Sequence, residues 1–322
     1  MMNHERFAVF ILSHGRAGNI KTLRPLLDVG NYSGNWYIVL DNEDESADKY
    51  KSCYGENRII IFDRPSIIKK TDPGTNDKNS MGVVFARNAC WDIAESLGLE
   101  YFLMLEDDYL SFEYRYPLNG KLMVADIKNL DRLFDTFLDF LETSKAATVA
   151  MAQGGDFIGG LDSGTYRQGI KRKAMNTFFC MTSRRIWFMG KNNDDCTTYV
   201  TLGNRGVLFM TYTKVAIRQE ETQKQKGGMS EFFKAGGAGF IKPFTTVIYA
   251  PQAVKVSAMG VTHKRFHHFI EWGKCVPKII NEKWRKGGAQ GAERSQGRCD
   301  VNGENRKTKK NKQTAAGRRT KD

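Results

Sequence analysis

A chain of 322 residues, 41% hydrophobic and 11% aromatic, is long and apolar enough to bury a large core, which excludes a fibrous or low-complexity polymer. The formal net charge is +13, yet residues 285–322 hold twelve Lys or Arg against four Asp or Glu, so most of the surplus lies in one C-terminal stretch. Six cysteines (Cys53, Cys90, Cys180, Cys196, Cys275, Cys299) show no CxxC spacing, and the first apolar run is too short for a membrane span, so neither a zinc ribbon, a disulfide framework nor a membrane anchor is expected and a cytoplasmic setting is.

Phe7 to Leu12 is a continuous apolar run that breaks at Ser13-His14-Gly15-Arg16-Ala17-Gly18-Asn19 before a helical pattern at Leu23, Leu26 and Leu27. Strand, glycine-containing loop and helix follow one another, but the loop has neither GxGxxG nor GxxxxGK[ST] spacing. Trp36 to Leu40 is a second strand, ending in Asp41-Asn42-Glu43-Asp44-Glu45. Asp41 there either meets a nucleoside or caps a helix around Ala47 to Tyr50. Arg58 to Phe62 makes a third strand, followed by a polar loop through Asp72 to Asp77 long enough to close over a ligand. Ser80 to Leu97 reads as a helix carrying Arg87 and Asn88, stopped by Gly98.

Tyr101-Phe102-Leu103-Met104-Leu105 then runs into Glu106-Asp107-Asp108. Apolar residues without alternation suit a strand covered on both faces, and three carboxylates cannot continue into such a core, so they emerge at the carboxyl edge of the sheet. Open α/β sheets bind ligands at that edge, and clustered carboxylate oxygens suit Mg²⁺ or Mn²⁺; a solvated acidic turn is the plainer reading.

Beyond Tyr109 the pattern predicts a hairpin from Phe112 to Leu122, an amphipathic helix from Leu130 to Leu141, strands at Ala147 to Ala152 and Thr177 to Thr182, and a short helix from Arg184 to Met189. Asp194-Asp195 opens a helix reaching about Gly203, one acid free to cap it and the other to face a pocket. A Lys/Gly-rich loop at Lys224 to Gly228, a helix from Ser230 to Lys234 and a strand from Thr245 to Tyr249 complete the ordered part, and three of the five histidines fall at His263, His267 and His268. From Trp284 onward the composition predicts disorder. The expected architecture is thus α/β, a mostly parallel, Rossmann-like sheet flanked by helices, with a domain over 1–284 (nucleotide-binding half 1–110, acceptor half 111–284) and a basic tail over 285–322.

Taken together, the acidic triplet after the central strand, the loop at Ser13 and the later acid pair resemble GT-A glycosyltransferases over roughly residues 7–210. In detail the chain is similar to the phage TET-associated glycosyltransferases, as is the looser stretch from Thr262 to Lys278. The resemblance implies a nucleotide-sugar donor (UDP-sugar or another), Mn²⁺ or Mg²⁺, and a hydroxymethylated pyrimidine in DNA as acceptor. It implies that Glu106, Asp107 and Asp108 form the metal and donor motif, with Asp108 the direct ligand, and that Ser13, Arg16 and Asp41 line the nucleoside pocket. Arg87 would approach the diphosphate, His263 or His268 would complete the metal site, and Asp195 or Asp194 would be the base of an inverting transfer. The alternatives are a saccharide, lipid or protein acceptor, a non-catalytic DNA-binding protein that keeps the nucleotide-sugar fold, and a nucleotidyltransferase, against which the missing Gly/Lys loop speaks. The basic tail suits phosphate contacts with DNA or, more plainly, solubility.

Overall fold

The computed structural model describes residues 5–74, 82–220, 238–259 and 265–276, all within one compact unit spanning Met1–Pro277. The expected tail, His263, the Lys224–Gly228 loop and the Ser230–Lys234 helix lie outside the described residues.

The chain opens with β1 (Phe7–Leu12), whose six residues are all buried, and a single π-helical turn at Arg24–Val29 that occupies the place of the first expected helix. It continues through β2 (Asn35–Asp41), α1 (Ala47–Tyr54), β3 (Ile59–Phe62), α2 (Arg64–Lys70), α3 (Val83–Ser96) and β4 (Tyr101–Glu106). Then come the hairpin β5 (Tyr109–Leu118) and β6 (Lys121–Asp126), α4 (Leu130–Ser144), β7 (Thr148–Ala152), α5 (Gly164–Gln168), β8 (Ile170–Lys171) and β9 (Phe178–Met181). The last described elements are α6 (Asp194–Asn204), β10 (Phe209–Gln219), α7 (Ala238–Tyr249) and a separate antiparallel pair, β11 (Val254–Met259) and β12 (Arg265–Ile270).

Among the described residues ten strands form one sheet, in the order β3-β2-β1-β4-β9-β7-β10-β5-β6, with β8 on β10. The first four pair in parallel, as the alternation of strands and helices predicts, whereas β9 runs antiparallel between β4 and β7 and β5 runs antiparallel to β10. The sheet is therefore mixed, its parallel part carrying the acidic strand. Helices bury both of its faces, which explains the unalternating apolar runs. Ala8, Phe10 and Leu12 of β1 pack with Val84, Trp91 and Ala94 of α3 on one face, and Phe7, Val9 and Ile11 pack with Phe134, Phe137 and Leu141 of α4 on the other. Phe134 of α4 stands within 5.4 Å of Tyr32 and of Phe179, ring centre to ring centre.

In β1 and its neighbours, Leu12 lies beside Val39 of β2 and Glu106 of β4, so the carboxyl ends of the three strands share one edge. Asp107 and Asp108 form the bend between β4 and β5 there. The hairpin β5–β6 closes through Asn119 and Gly120, both at positive φ (50° and 70°), the two-residue turn that matches strand twist.

Two expected elements differ. Arg184–Met189 is not helical, apart from one tight turn at Thr182–Arg184, because its polar groups find partners elsewhere: Arg184 donates to the carbonyls of Leu141 and Ala146 at 2.8 and 3.0 Å, and the Phe188 amide donates to Asn88 Oδ1 at 2.8 Å. Thr245–Tyr249 is the second half of α7 rather than a strand. Its β-branched residues favour extended chain locally, but Pro243, Thr246 and Ala250 make a buried stripe at helical spacing, and tertiary packing overrides the weaker preference.

Candidate active site

The loop after β1 wraps the acidic bend. Ser13 Oγ donates to Asp107 Oδ2 at 2.5 Å and lies 2.7 Å from the Tyr50 hydroxyl, while Arg16 donates to Asp107 Oδ1 at 2.5 Å. Burial raises the Asp107 carboxyl above its ordinary range in spite of Arg16. The bend itself is stapled by Thr22, whose buried hydroxyl donates to the Glu106 carbonyl at 2.5 Å and accepts from the Tyr109 amide at 3.0 Å.

At the end of β2, Asp41 is no helix cap. Its Oδ2 lies 2.8 Å from His14 Nδ1, its Oδ1 accepts from Arg64 at 3.3 Å and from the Glu43 amide at 3.1 Å, and α1 begins instead after Ser46. Burial opposes the Asp41 charge, but the His14 hydrogen bond and the His14 and Arg64 charges hold the carboxyl below its usual range; the same bond raises His14. Ser13, Arg16 and Asp41, which the family resemblance assigns to a nucleoside pocket, thus lie at one strand edge, together with His14, Tyr50 and Arg64, which the sequence does not single out. Tyr50 and Arg64 carried no local signal, since each is presented by a helix that only the folded sheet brings near.

A second set of charges faces the other side of β4. Arg87 of α3 is 2% exposed; it donates to Glu106 Oε1 at 2.7 Å and to Asp194 Oδ2 at 2.6 Å, with its guanidinium carbon 4.9 Å from the centre of the Phe178 ring. Burial raises both Glu106 and Asp194 despite Arg87, and the neighbouring Asp195 adds to both shifts. Asp195, half-buried in the first turn of α6, accepts the Cys196 amide at 2.7 Å through Oδ1. His268 of β12 packs on the same turn, Nε2 at 3.5 Å from Cys196 Sγ and Nδ1 at 3.5 Å from Asn193 Nδ2, and burial pushes it down to about 4, so it is neutral at pH 7.

Asp108 differs from its neighbours. Its Oδ1 is buried with no hydrogen-bond partner among the described residues, and burial followed by the Asp107 charge pushes the carboxyl up to about 6. A buried oxygen with an unused lone pair fits a hard divalent cation. Among the described residues no three His, Cys, Asp or Glu side chains cluster to hold a metal by themselves, so a cation on Asp108 would take its other ligands from a bound diphosphate and water. No helix among the described residues is long and apolar enough to cross a membrane.

Residues 7–228 match the model of the family described as TET-Associated Glycosyltransferase. None of the curated protein sequences compared matches the chain. Among solved structures, glucosyl-3-phosphoglycerate synthase from Mycobacterium tuberculosis in complex with Mg²⁺ and UDP is similar at 8% identity over 85% of this chain and 88% of that one, with a TM-score of 0.40. The same enzyme in complex with Mn²⁺ and UDP-glucose is similar at 9% identity over 85% and 88% of the two chains, with a TM-score of 0.37. Both likenesses are too distant to assign a ligand.

Proposed function

The chain belongs to the TET-associated glycosyltransferase family and is a glycosyltransferase, and from that premise we propose that it transfers a sugar from a nucleotide-sugar to the hydroxyl of a hydroxymethylated pyrimidine in DNA, with inversion. The observation that carries this reading is the meeting of two acid sets at one sheet edge: Asp108, with its unpartnered buried oxygen, and Asp194-Asp195, tied to the same strand through Arg87.

In this reading Ser13, Arg16 and Asp41 border the nucleoside, and Glu106, Asp107 and Asp108 border the diphosphate, Asp108 holding Mn²⁺ or Mg²⁺. When bound, that ion supplies positive charge against the leaving diphosphate. Of the paired acids Asp195 is the base, because the Asp194 carboxylate is committed to Arg87, whereas Asp195 Oδ2 has no hydrogen-bond partner among the described residues. The acceptor oxygen attacks the anomeric carbon and passes its proton to Asp195, while the bond from that carbon to the diphosphate breaks and its electron pair leaves with the nucleoside diphosphate. His268, neutral and packed on the base-bearing turn against Asn193 and Cys196, supports that turn. The DNA base has to be flipped out or single-stranded to reach such a site.

The test is transfer of labelled sugar from a panel of nucleotide-sugars, with Mn²⁺ or Mg²⁺, to DNA containing 5-hydroxymethylcytosine or 5-hydroxymethyluracil, beside unmodified DNA. Label on hydroxymethylated DNA alone is the expected result. Donor hydrolysis with no labelled DNA would leave the enzyme class standing and remove the acceptor; label on saccharide acceptors instead would replace it.

A further inference from the structure

Helix α6 is not capped by the residue before it. Asn193 sits in the left-handed region (φ 56°, ψ 37°) and its side chain makes no hydrogen bond to the first turn, where Asp195 Oδ1 accepts the Cys196 amide. The segment leading in is held from outside, the Gly190 and Lys191 amides donating to the Asp72 and Pro73 carbonyls at 2.9 Å each, and Asn193 Nδ2 donating to the Lys242 carbonyl at 2.7 Å. In that first turn the ion pair from Asp194 to Arg87 fixes where the helix stands against the acidic strand.

Arg87 is spent on this contact. Both of its terminal nitrogens are engaged, one with Asp194 and one with Glu106, its side chain is 3% exposed, and the rings of Phe178 and Phe188 lie 4.9 and 5.6 Å from the guanidinium carbon. A buried ion pair such as Arg87–Asp194, with the quarter-exposed Glu106 as a third member, is seldom more stable than apolar side chains of the same volume, so stability alone is a poor reason for it. What a planar two-pronged cation does well is to fix two carboxylates at a set spacing and angle. One of those carboxylates begins the acidic bend; the other is adjacent to Asp195.

Building on the assignment of Asp195 as base, we propose that Arg87 is a positioning residue that sets the place of Asp195 relative to the donor motif by clamping Glu106 and Asp194 together, and that it does not touch the donor diphosphate. This departs from the role that the family resemblance implies for Arg87. The two roles divide the kinetic constants differently. A diphosphate contact would act on donor affinity; a clamp acts on the geometry of attack, where a misplacement of about 1 Å costs on the order of 100-fold in rate.

The experiment measures kcat, donor KM, UDP affinity by calorimetry with Mn²⁺, and thermal midpoint for wild type, Arg87→Lys, Arg87→Ala and Asp194→Asn. The clamp predicts that Arg87→Lys, with one ammonium in place of a fork, loses on the order of 100-fold in kcat with donor KM and UDP affinity within about twofold. Asp194→Asn, which keeps a hydrogen-bonding group of the same shape, falls in kcat the same way. In Arg87→Ala, added guanidinium ion at low millimolar concentration restores part of kcat. A raised donor KM and weakened UDP binding in Arg87→Lys would overturn the clamp in favour of a diphosphate contact. A lower thermal midpoint with kcat near wild type in both conservative variants would overturn it in favour of a structural ion pair. Wild type that neither transfers nor hydrolyses any donor overturns the reading of the site, and with it this inference; failure confined to the variants overturns the inference alone.

Discussion

Asp108 and Asp195 are both carboxylates at one edge, and the difference between them is what surrounds their oxygens. Asp108→Asn keeps the shape of the side chain but removes the charge a cation would need, so the expected outcome is loss of Mn²⁺-dependent donor turnover together with loss of the stabilisation that Mn²⁺ and UDP jointly give. Thermal shift with and without the two ligands checks this. Asp195→Asn should lower kcat by roughly 10²- to 10⁴-fold, the usual contribution of a general base, with donor binding retained. A pH effect on stability follows from Asp108. Burial, followed by the Asp107 charge, pushes its carboxyl up to about 6, so the fold retains a proton that the unfolded chain has already released. Stability of the metal-free protein should therefore fall as pH rises from the ordinary carboxylate range through about 6, the reverse of a salt-bridged acid. Urea midpoints at about pH 5 and pH 7.5, with and without Mn²⁺, measure the slope, and its flattening by Mn²⁺ is the expected result; a midpoint that rises with pH in the absence of metal would refute the burial argument.

At the scale of elements, the acidic bend depends on Thr22, a residue in the crossover between β1 and β2 that does no chemistry. Thr22→Val preserves the shape and deletes a hydroxyl that bonds both the last residue of β4 and the first of β5. Leaving the buried Tyr109 amide and the part-buried Glu106 carbonyl without that partner should cost about 1–3 kcal/mol, read from the denaturant midpoint, and should weaken Mn²⁺-dependent turnover because Asp107 and Asp108 lie between them. The parallel half of the fold was legible because each strand is a short apolar run stopped by polar residues, and Glu106-Asp107-Asp108 announced its own sheet edge. The antiparallel half was less so. Phe178 to Met181 looks the same whether β9 runs with or against β4, and nothing local in Thr245 to Tyr249 reveals the helical stripe that α6 packs against. Site residues divide the same way. In the candidate site, Arg16 and Asp41 stood out by their place after strand ends and Ser13 only by the family resemblance, whereas Tyr50, Arg64 and Thr22 come near from elements whose approach is set only by the core.

For the molecule as a whole, charge is divided between a proposed donor site built from carboxylates and a C-terminal stretch carrying twelve Lys or Arg against four acids. In the proposed reading a polyanionic acceptor would be repelled by the first and attracted by the second, so the basic sequence would offset the repulsion of DNA by the carboxylates. Each phosphate neutralised releases condensed counterions, and the affinity then falls steeply with salt, by a slope of about −0.9 per contact on duplex DNA and about −0.7 on single strands. Ending the chain at Trp284 should therefore lower DNA affinity and reduce the salt slope by several units, while turnover of donor with a hydroxymethylated mononucleoside stays within about twofold. Fluorescence anisotropy over a salt series, set beside mononucleoside kinetics, separates the two effects. A truncated chain with unchanged salt slope would make the tail a solubilising segment and require the phosphate contacts to come from the folded unit. A truncated chain that loses mononucleoside turnover as well would show that residues 285–322 serve the donor site itself rather than the acceptor's backbone.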